Sequence, residues 1–409
     1  MKIKKEWFLS VVSVTVFLFF MSPLPYCFAQ ENNSFKPLFP VGLDHDFPEP
    51  RKTFDEIKGL ILEQYYSDDI TEKALYWAAV QGMLRHISPP EEPVLAKIWT
   101  AEEYEKILHS LQGVQVSLGI KSSFNPQDGS LTVTDVLPRS PAETILKPLD
   151  RILRIDSQPL KGISLNEVDR LLTGEEDTEV TLTVNRDIKT FDVTLKRSRF
   201  ETQTLVISRL NNTIALVEIK KFTSDLSKKV SDELEKLKEE GFQGLIIDLR
   251  NNTGGVLAES LRTAELFLSE NLILLRSLQR ETDLQNYISM NDNPFEFDIT
   301  VLVNRKTASS AEILTSALQD HQKAVIIGTR TFGKGVFEKT LKLKNDFRVK
   351  FITGAMYSPK GQSWQGKGIT PDFLVEQDDK TLKALLKMEP KQRFHKDVAM
   401  ITAYKLMTR

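Results

Sequence analysis

Cysteine is almost absent: the 409 residues contain one, Cys27. That excludes a disulfide framework, and leaves neither a thiol nucleophile nor a cysteine metal cage outside that position, so packing must hold the core together. Histidine is sparse too, and its five positions (His45, His86, His109, His321, His395) are scattered. There is no His-Glu-x-x-His helix for zinc, no Gly-x-Ser-x-Gly elbow and no Walker-type loop, since Gly333-Lys334-Gly335 lacks the spaced glycine before it and the Ser/Thr after it. Neither sign of charge dominates: 54 Lys+Arg against 56 Asp+Glu gives a net −2. A polybasic nucleic-acid binder is thereby excluded, and no metal or cofactor is expected. Long apolar runs are lacking as well. The uncharged apolar run near the N-terminus, Phe8 to Met21, has 14 residues, short of the roughly 20 that span a bilayer.

What is present is an ordinary globular composition, 41% hydrophobic and 27% charged, in a chain long enough for about two or three domains. Residues 1–29 read as a secretory signal: Lys2, Lys4 and Lys5 precede the apolar run, and Cys27-Phe28-Ala29 ends in a small residue. Cleavage after Ala29 is expected, with an uncleaved anchor or a lipidated Cys27 as alternatives. The rest should be soluble and exported. Gln30 to Pro50 reads as a loosely ordered lead-in. Residues 54–66, 71–87 and 101–111 then read as amphipathic helices, the second and third separated by the Pro89-Pro90 break, making a helical N-terminal region over 30–112.

Past Gly113 the pattern changes to short β runs at 113–120, 131–136, 151–155 and 179–184 around one helix. Ser164-Leu165-Asn166-Glu167 is a capping box, with Val168, Leu171 and Leu172 as the buried stripe. A half-barrel with one helix beside a strand makes a groove that an extended peptide can enter as an added strand. Residues 113–200 resemble a PDZ domain. The resemblance implies that Ser117-Leu118-Gly119-Ile120 is the loop whose N–H groups hold a peptide's terminal carboxylate, beside a groove at Val168 and Leu172. Pro148-Leu149-Asp150 stands where such domains of the same family usually have Pro-Gly-Asp.

The second half alternates strands (213–219, 244–248, 300–303, 324–327) with helices (225–240, 257–268, 311–320), the order of an α/β sheet. After the second strand comes Asp248-Leu249-Arg250-Asn251-Asn252-Thr253-Gly254-Gly255, whose paired glycines suit either a tight turn or an anion held at a helix N-terminus. Thr307-Ala308-Ser309-Ser310-Ala311-Glu312-Ile313 and Thr331-Phe332-Gly333-Lys334-Gly335 follow. Taken alone, Ser309 reads as a helix N-cap and Lys334 as a surface lysine. With Gln365-Gly366-Lys367-Gly368-Ile369 and Pro371-Asp372, these blocks in order are similar to those of the exported carboxyl-terminal processing proteases (tail-specific proteases, peptidase family S41), which join a PDZ domain to a Ser/Lys peptidase core.

The resemblance implies an α+β multidomain protein. It would have a helical N-terminal region, a PDZ-like half-barrel inserted before an α/β (ClpP/crotonase-like) peptidase core over 201–378, and a C-terminal helical segment over 379–409. It implies Ser309 as nucleophile, Lys334 as general base and backbone N–H groups near Gly254 and Ser310 as oxyanion donors. Apolar Phe332, Val336 and Phe337 would desolvate the lysine. Glu338 stands at the position of the family's third catalytic residue, a Gln. The implied activity is that of a serine endopeptidase in a bacterial periplasm, soluble or loosely membrane-associated, which takes protein substrates with apolar C-termini. The alternative is a weakly active or inactive scaffold that binds the same termini. The N-terminal helices and the C-terminal segment are the expected surfaces for a homodimer or an adaptor protein.

Overall fold

A computed structural model describes residues 46–88, 95–280 and 283–408. The expected signal segment, the lead-in as far as residue 45 and the Pro89-Pro90 break lie outside the described residues. The chain divides into two compact units: Met1–Ala101 with Glu338–Thr353, and Glu102–Phe337 with Gly354–Arg409.

In the smaller unit, helices α1 (Pro50–Gln64) and α2 (Glu72–His86) form where periodicity places them. Thr71 caps α2 by accepting the Ala74 N–H, and Lys58 of α1 donates to Glu72 at 2.7 Å and to the Tyr76 hydroxyl at 2.6 Å, joining the helices. The apolar stripe of α1 is left uncovered, with Ile57 51% and Leu60 47% exposed. A strand that periodicity did not indicate, β1 (Lys97–Trp99), pairs antiparallel with residues 348–350. Lys350 there lies over the Trp99 ring, 5.6 Å from its centroid. Residues 338–353 thereby belong to the smaller unit with the N-terminal helices.

The larger unit starts with α3 (Ala101–Leu111) and β2 (Val114–Ser117). An antiparallel sheet follows, built from β3 (Ile120–Asn125), β4 (Ser130–Val136), β5 (Arg151–Ile155), β6 (Gln158–Pro159), β7 (Glu179–Arg186) and β8 (Lys189–Lys196), with helix α4 (Leu165–Leu172) before β7. Its order is β3-β4-β5-β7-β8, and β9 (Ser198–Glu201) returns to pair with β2. The run expected at 113–120 is split at Gly119, whose φ of +78° turns the chain. A Cβ there would overlap Ser140, so only glycine fits. Ser164 caps α4 by accepting the Glu167 N–H at 3.3 Å. Val168, Leu118, Ile152 and Leu182 meet in the core of this domain.

The remaining elements are β10 (Leu205–Arg209), β11 (Ile214–Ile219), α5 (Leu226–Glu239), β12 (Gly244–Asp248), α6 (Leu257–Glu265), β13 (Ile273–Gln279), β14 (Gln285–Ile288), β15 (Asp298–Val303), α7 (Ser310–Asp320), β16 (Ala324–Gly328), β17 (Val336–Lys342), β18 (Arg348–Tyr357), β19 (Phe373–Leu374), α8 (Asp379–Leu385), α9 (Pro390–Phe394) and α10 (Val398–Met407). One sheet has the order β10-β11-β12-β15-β16-β19, parallel throughout except for β10. Every residue of β11 and β12 is buried, as in a sheet covered on both faces. Leu226, Val230 and Leu314 cover one face together with Ala264. Ala399, Met400 and Ala403 of α10 cover the other, against Leu216, Ile246 and Leu302. The carboxyl ends of β12, β15 and β16 open on the loops that carry the candidate site, the usual place for ligands in such sheets.

Candidate active site

After β15 the chain reaches Ser309 at the N-cap of α7, with φ 56° and ψ −120°. A serine with positive φ is strained, a condition that clusters where side chains must be aimed. The neighbouring turn presses close: a Cβ on Gly254 would sit 2.9 Å from the Ala308 carbonyl oxygen and from the Ser309 Cβ. Ser309 therefore occupies the N-cap position as well as the position expected of a nucleophile.

Glu312, one turn along α7 and fully buried, connects this serine to the lysine loop. Its Oε2 accepts the backbone N–H of Ser309 at 2.9 Å and that of Lys334 at 2.8 Å. Its Oε1 accepts the Thr331 hydroxyl at 2.6 Å and the Gly333 N–H at 2.7 Å. Burial pushes the Glu312 carboxyl above the usual carboxylate range, against the bonds from Thr331, Ser309, Gly333 and Lys334, which favour its charged form. The loop is held from its other side by Trp364, whose Nε1–H donates to the Lys334 carbonyl at 3.0 Å, and by Gln365, which accepts the Gly335 N–H at 2.7 Å. Lys334 itself is half-buried. For Glu312 the signal in the sequence is its spacing of three from Ser309, that of a capping box.

The Gly254-Gly255 turn is built by asparagines. Asn252, fully buried, donates from Nδ2 to the Ile219 carbonyl at 2.7 Å, and its Oδ1 accepts the Gly254 N–H at 2.8 Å. The Gly254 N–H, expected as an oxyanion donor, is thus occupied by Asn252. Among the described residues, no acceptor meets the N–H of Gly255 or that of Ser310. The Ser310 hydroxyl donates to the Gly255 carbonyl at 3.1 Å, tying these two donors together. Asn251 and Asn304 exchange two hydrogen bonds, at 3.0 and 2.9 Å, which fasten the turn to the end of β15.

Other expected positions fall elsewhere. Glu338 lies in the smaller unit and pairs with Lys350 at 3.1 Å, both side chains largely shielded. Phe332 is 47% exposed and gives Lys334 little shielding, whereas Val336 is fully buried and Phe337 half-buried. In the β half-barrel, the Ser117 hydroxyl accepts the Gly119 N–H at 3.1 Å, so that donor is not free for a carboxylate. Leu118 and Val168 are buried in the domain core, packed among Leu131, Ile152 and Leu182. Ile120 and Leu172 are partly buried and stand at its surface.

Residues 213–375 match the family model described as peptidase family S41, and residues 105–185 match the PDZ domain model. A probable CtpA-like serine protease of Staphylococcus aureus is 29% identical over 378 residues, covering 91% of this chain and 73% of the relative. Residues 213–375 form a peptidase domain of family S41. The chain is a serine-type peptidase carrying a PDZ domain. A second CtpA-like relative, from Staphylococcus saprophyticus, is 27% identical over 340 residues, 82% of this chain and 67% of its own. Among solved structures, the photosystem II D1 C-terminal processing protease superposes with a TM-score of 0.50 at 21% identity, over 85% of this chain and 100% of the other. An S41 protease of Bacteroides fragilis, described as putative, superposes with a TM-score of 0.57 at 16% identity, over 86% and 97%. Both share the fold.

Proposed function

We propose that this S41 peptidase is an exported endopeptidase that cuts peptide bonds with Ser309 and Lys334, and that its PDZ domain selects substrates by a free, apolar C-terminus. The observation carrying the reading is the single buried carboxylate of Glu312, which holds the backbones of Ser309 and Lys334 at once. A base can activate a serine only where the two are kept in register. In its neutral form the Lys334 amine takes the Ser309 proton as Oγ attacks the scissile carbonyl. The N–H groups of Gly255 and Ser310, without acceptors of their own, receive the oxyanion. The lysine then returns the proton to the leaving amine, and water hydrolyses the acyl-enzyme by the same sequence.

Selection by C-terminus rests on the PDZ match and on apolar Ile120 and Leu172 at the domain's surface. A charged terminal side chain there would lose hydration without a partner. Export rests on the basic and apolar pattern of residues 1–29. The test uses an unfolded substrate ending in apolar residues. Cleavage should vanish in Ser309→Ala with the fold kept, and amidating the terminus or ending it in Asp should weaken binding measured by calorimetry. Cleavage that survives Ser309→Ala refutes the nucleophile, equal affinities refute the selection, and binding without cleavage by the parent chain would mark a scaffold.

A further inference from the structure

Five charged side chains meet in the interior behind the Gly254-Gly255 turn: Glu218, Asp248, Arg250, Arg393 and Asp397. They come from three places, the end of β11, the end of β12 with the residues after it, and the C-terminal segment. Glu218 and Asp248 are register partners on adjacent parallel strands, so two carboxylates lie side by side in a region closed to water. Two guanidiniums answer them. Arg250 donates from Nε and Nη2 to both oxygens of Asp248 at 2.9 and 2.7 Å, and Arg393 reaches Glu218 at 2.9 Å. Asp397, fully buried at the N-cap of α10, holds Arg250 Nη2 at 2.7 Å.

Pure anchoring explains this cluster poorly. It holds three carboxylates and two guanidiniums, a formal excess of one negative charge, and among the described residues Arg250 Nη1, Arg393 Nε and Nη2 and Asp397 Oδ2 are buried without a hydrogen-bond partner, so Asp397–Arg250 and Arg393–Glu218 are ion pairs without hydrogen-bond geometry. Apolar packing fastens a helix at lower cost than a buried ionic group of this kind. What the cluster grips is more telling. Arg250 is where the chain leaves β12 for the turn, and its backbone N–H is also held by Asp248, at 3.0 Å. Glu218 precedes Ile219, whose carbonyl holds the Asn252 that in turn holds the Gly254 N–H. Asp397 and Arg393 therefore grip both strands from which the turn is suspended.

We infer that Asp397 and Arg393, in the C-terminal segment, are positioning residues for the oxyanion-binding turn, acting through Arg250 and Glu218. The inference rests on the reading of Ser309 as nucleophile and the Gly255 N–H as an oxyanion donor. C-terminal helices that look like an appendage are then part of the catalytic apparatus: they aim the donors without touching substrate.

The experiment measures turnover of a fluorogenic peptide per active site titrated with a fluorophosphonate, in the full chain. In Asp397→Asn, kcat per titrated site should fall by about tenfold to a hundredfold with KM within about twofold, because misplaced donors fail the transition state and spare the ground state. Affinity for a peptide aldehyde, which forms a tetrahedral adduct, should fall in parallel. Asp397→Glu should restore part of both. Arg393→Lys, which keeps the charge and loses the planar fork, gives the same reading if Asp397→Asn does not fold. Variants with lower melting temperatures but unchanged kcat per site and unchanged aldehyde affinity would overturn the inference and leave Ser309 in place. Turnover that persists in Ser309→Ala would overturn the reading beneath it, and the inference with it.

Discussion

Glu312 is the residue on which the site's register depends. It accepts four donors, two at each oxygen, and an amide in its place would turn an NH2 group toward two of them. Glu312→Gln should reduce kcat by about a hundredfold, the scale of a lost alignment, with Ser309 and Lys334 both still present. Burial raises this carboxyl's pKa on folding. Its contribution to stability is therefore fully present below the unfolded pKa of about 4.3 and is lost as pH rises through the raised folded value. The melting temperature of the parent relative to Glu312→Gln should accordingly be higher at acid pH than at neutral pH, and calorimetric melts across that range check it. Glu338 differs in kind. Its carboxylate pairs with Lys350 at 3.1 Å, and a carboxylate set beside a general-base lysine would oppose that base's loss of a proton. Glu338→Gln should raise activity near neutrality and move the rising limb of the pH–rate profile to lower pH. An unchanged limb would confine Glu338 to its pairing with Lys350.

At the scale of elements, turns show how much local conformation is dictated by the surroundings. Leu149 adopts φ +78° in the turn before β5 and is 81% exposed. A leucine gains nothing by burial there and carries the steric cost of the left-handed region, about 1–2 kcal/mol. The turn persists because Asp150 is buried, accepts the Lys147 N–H at 2.8 Å and is paired with Arg186 at 2.7 Å. Leu149→Gly should stabilise the protein by roughly 0.5–1 kcal/mol, after allowing for glycine's extra freedom in the unfolded chain. Urea denaturation monitored on the full chain would show it as a higher midpoint at unchanged slope.

For the whole molecule, the uncovered faces of α1 and α2 set the expectation. Ile57, Leu60, Trp77 and Met83 are all exposed, and an unsatisfied amphipathic stripe of this kind is what a second copy of the same helix pair can cover. Light scattering should show a dimer of the intact chain. Ile57→Glu with Leu60→Glu should shift it to monomer while the core's thermal transition stays in place. A monomer already in the parent at micromolar concentration would remove this interface.

The sequence by itself determined the elements with a strong period and the residue types of the chemistry. The strand Ile214–Ile219, the helix Leu226–Glu239 and the junction at Ser309 lie where hydrophobic spacing and turn residues placed them, because those signals are local. Strands β13, β14, β17 and β18 escaped it: they are mixed in polarity and half-buried, and pairing, of β14 with β13 and of β17 with β18, makes them strands. Val168 looked like a groove residue by its place on α4, yet the packing of the half-barrel put it inside. The Glu312 clamp, the Gly254 N–H held by Asn252 and the cluster of charges joining Asp397 to Arg250 belong to the tertiary structure alone. Each depends on which oxygen a buried N–H meets, and that is decided only when segments far apart in the chain close around it.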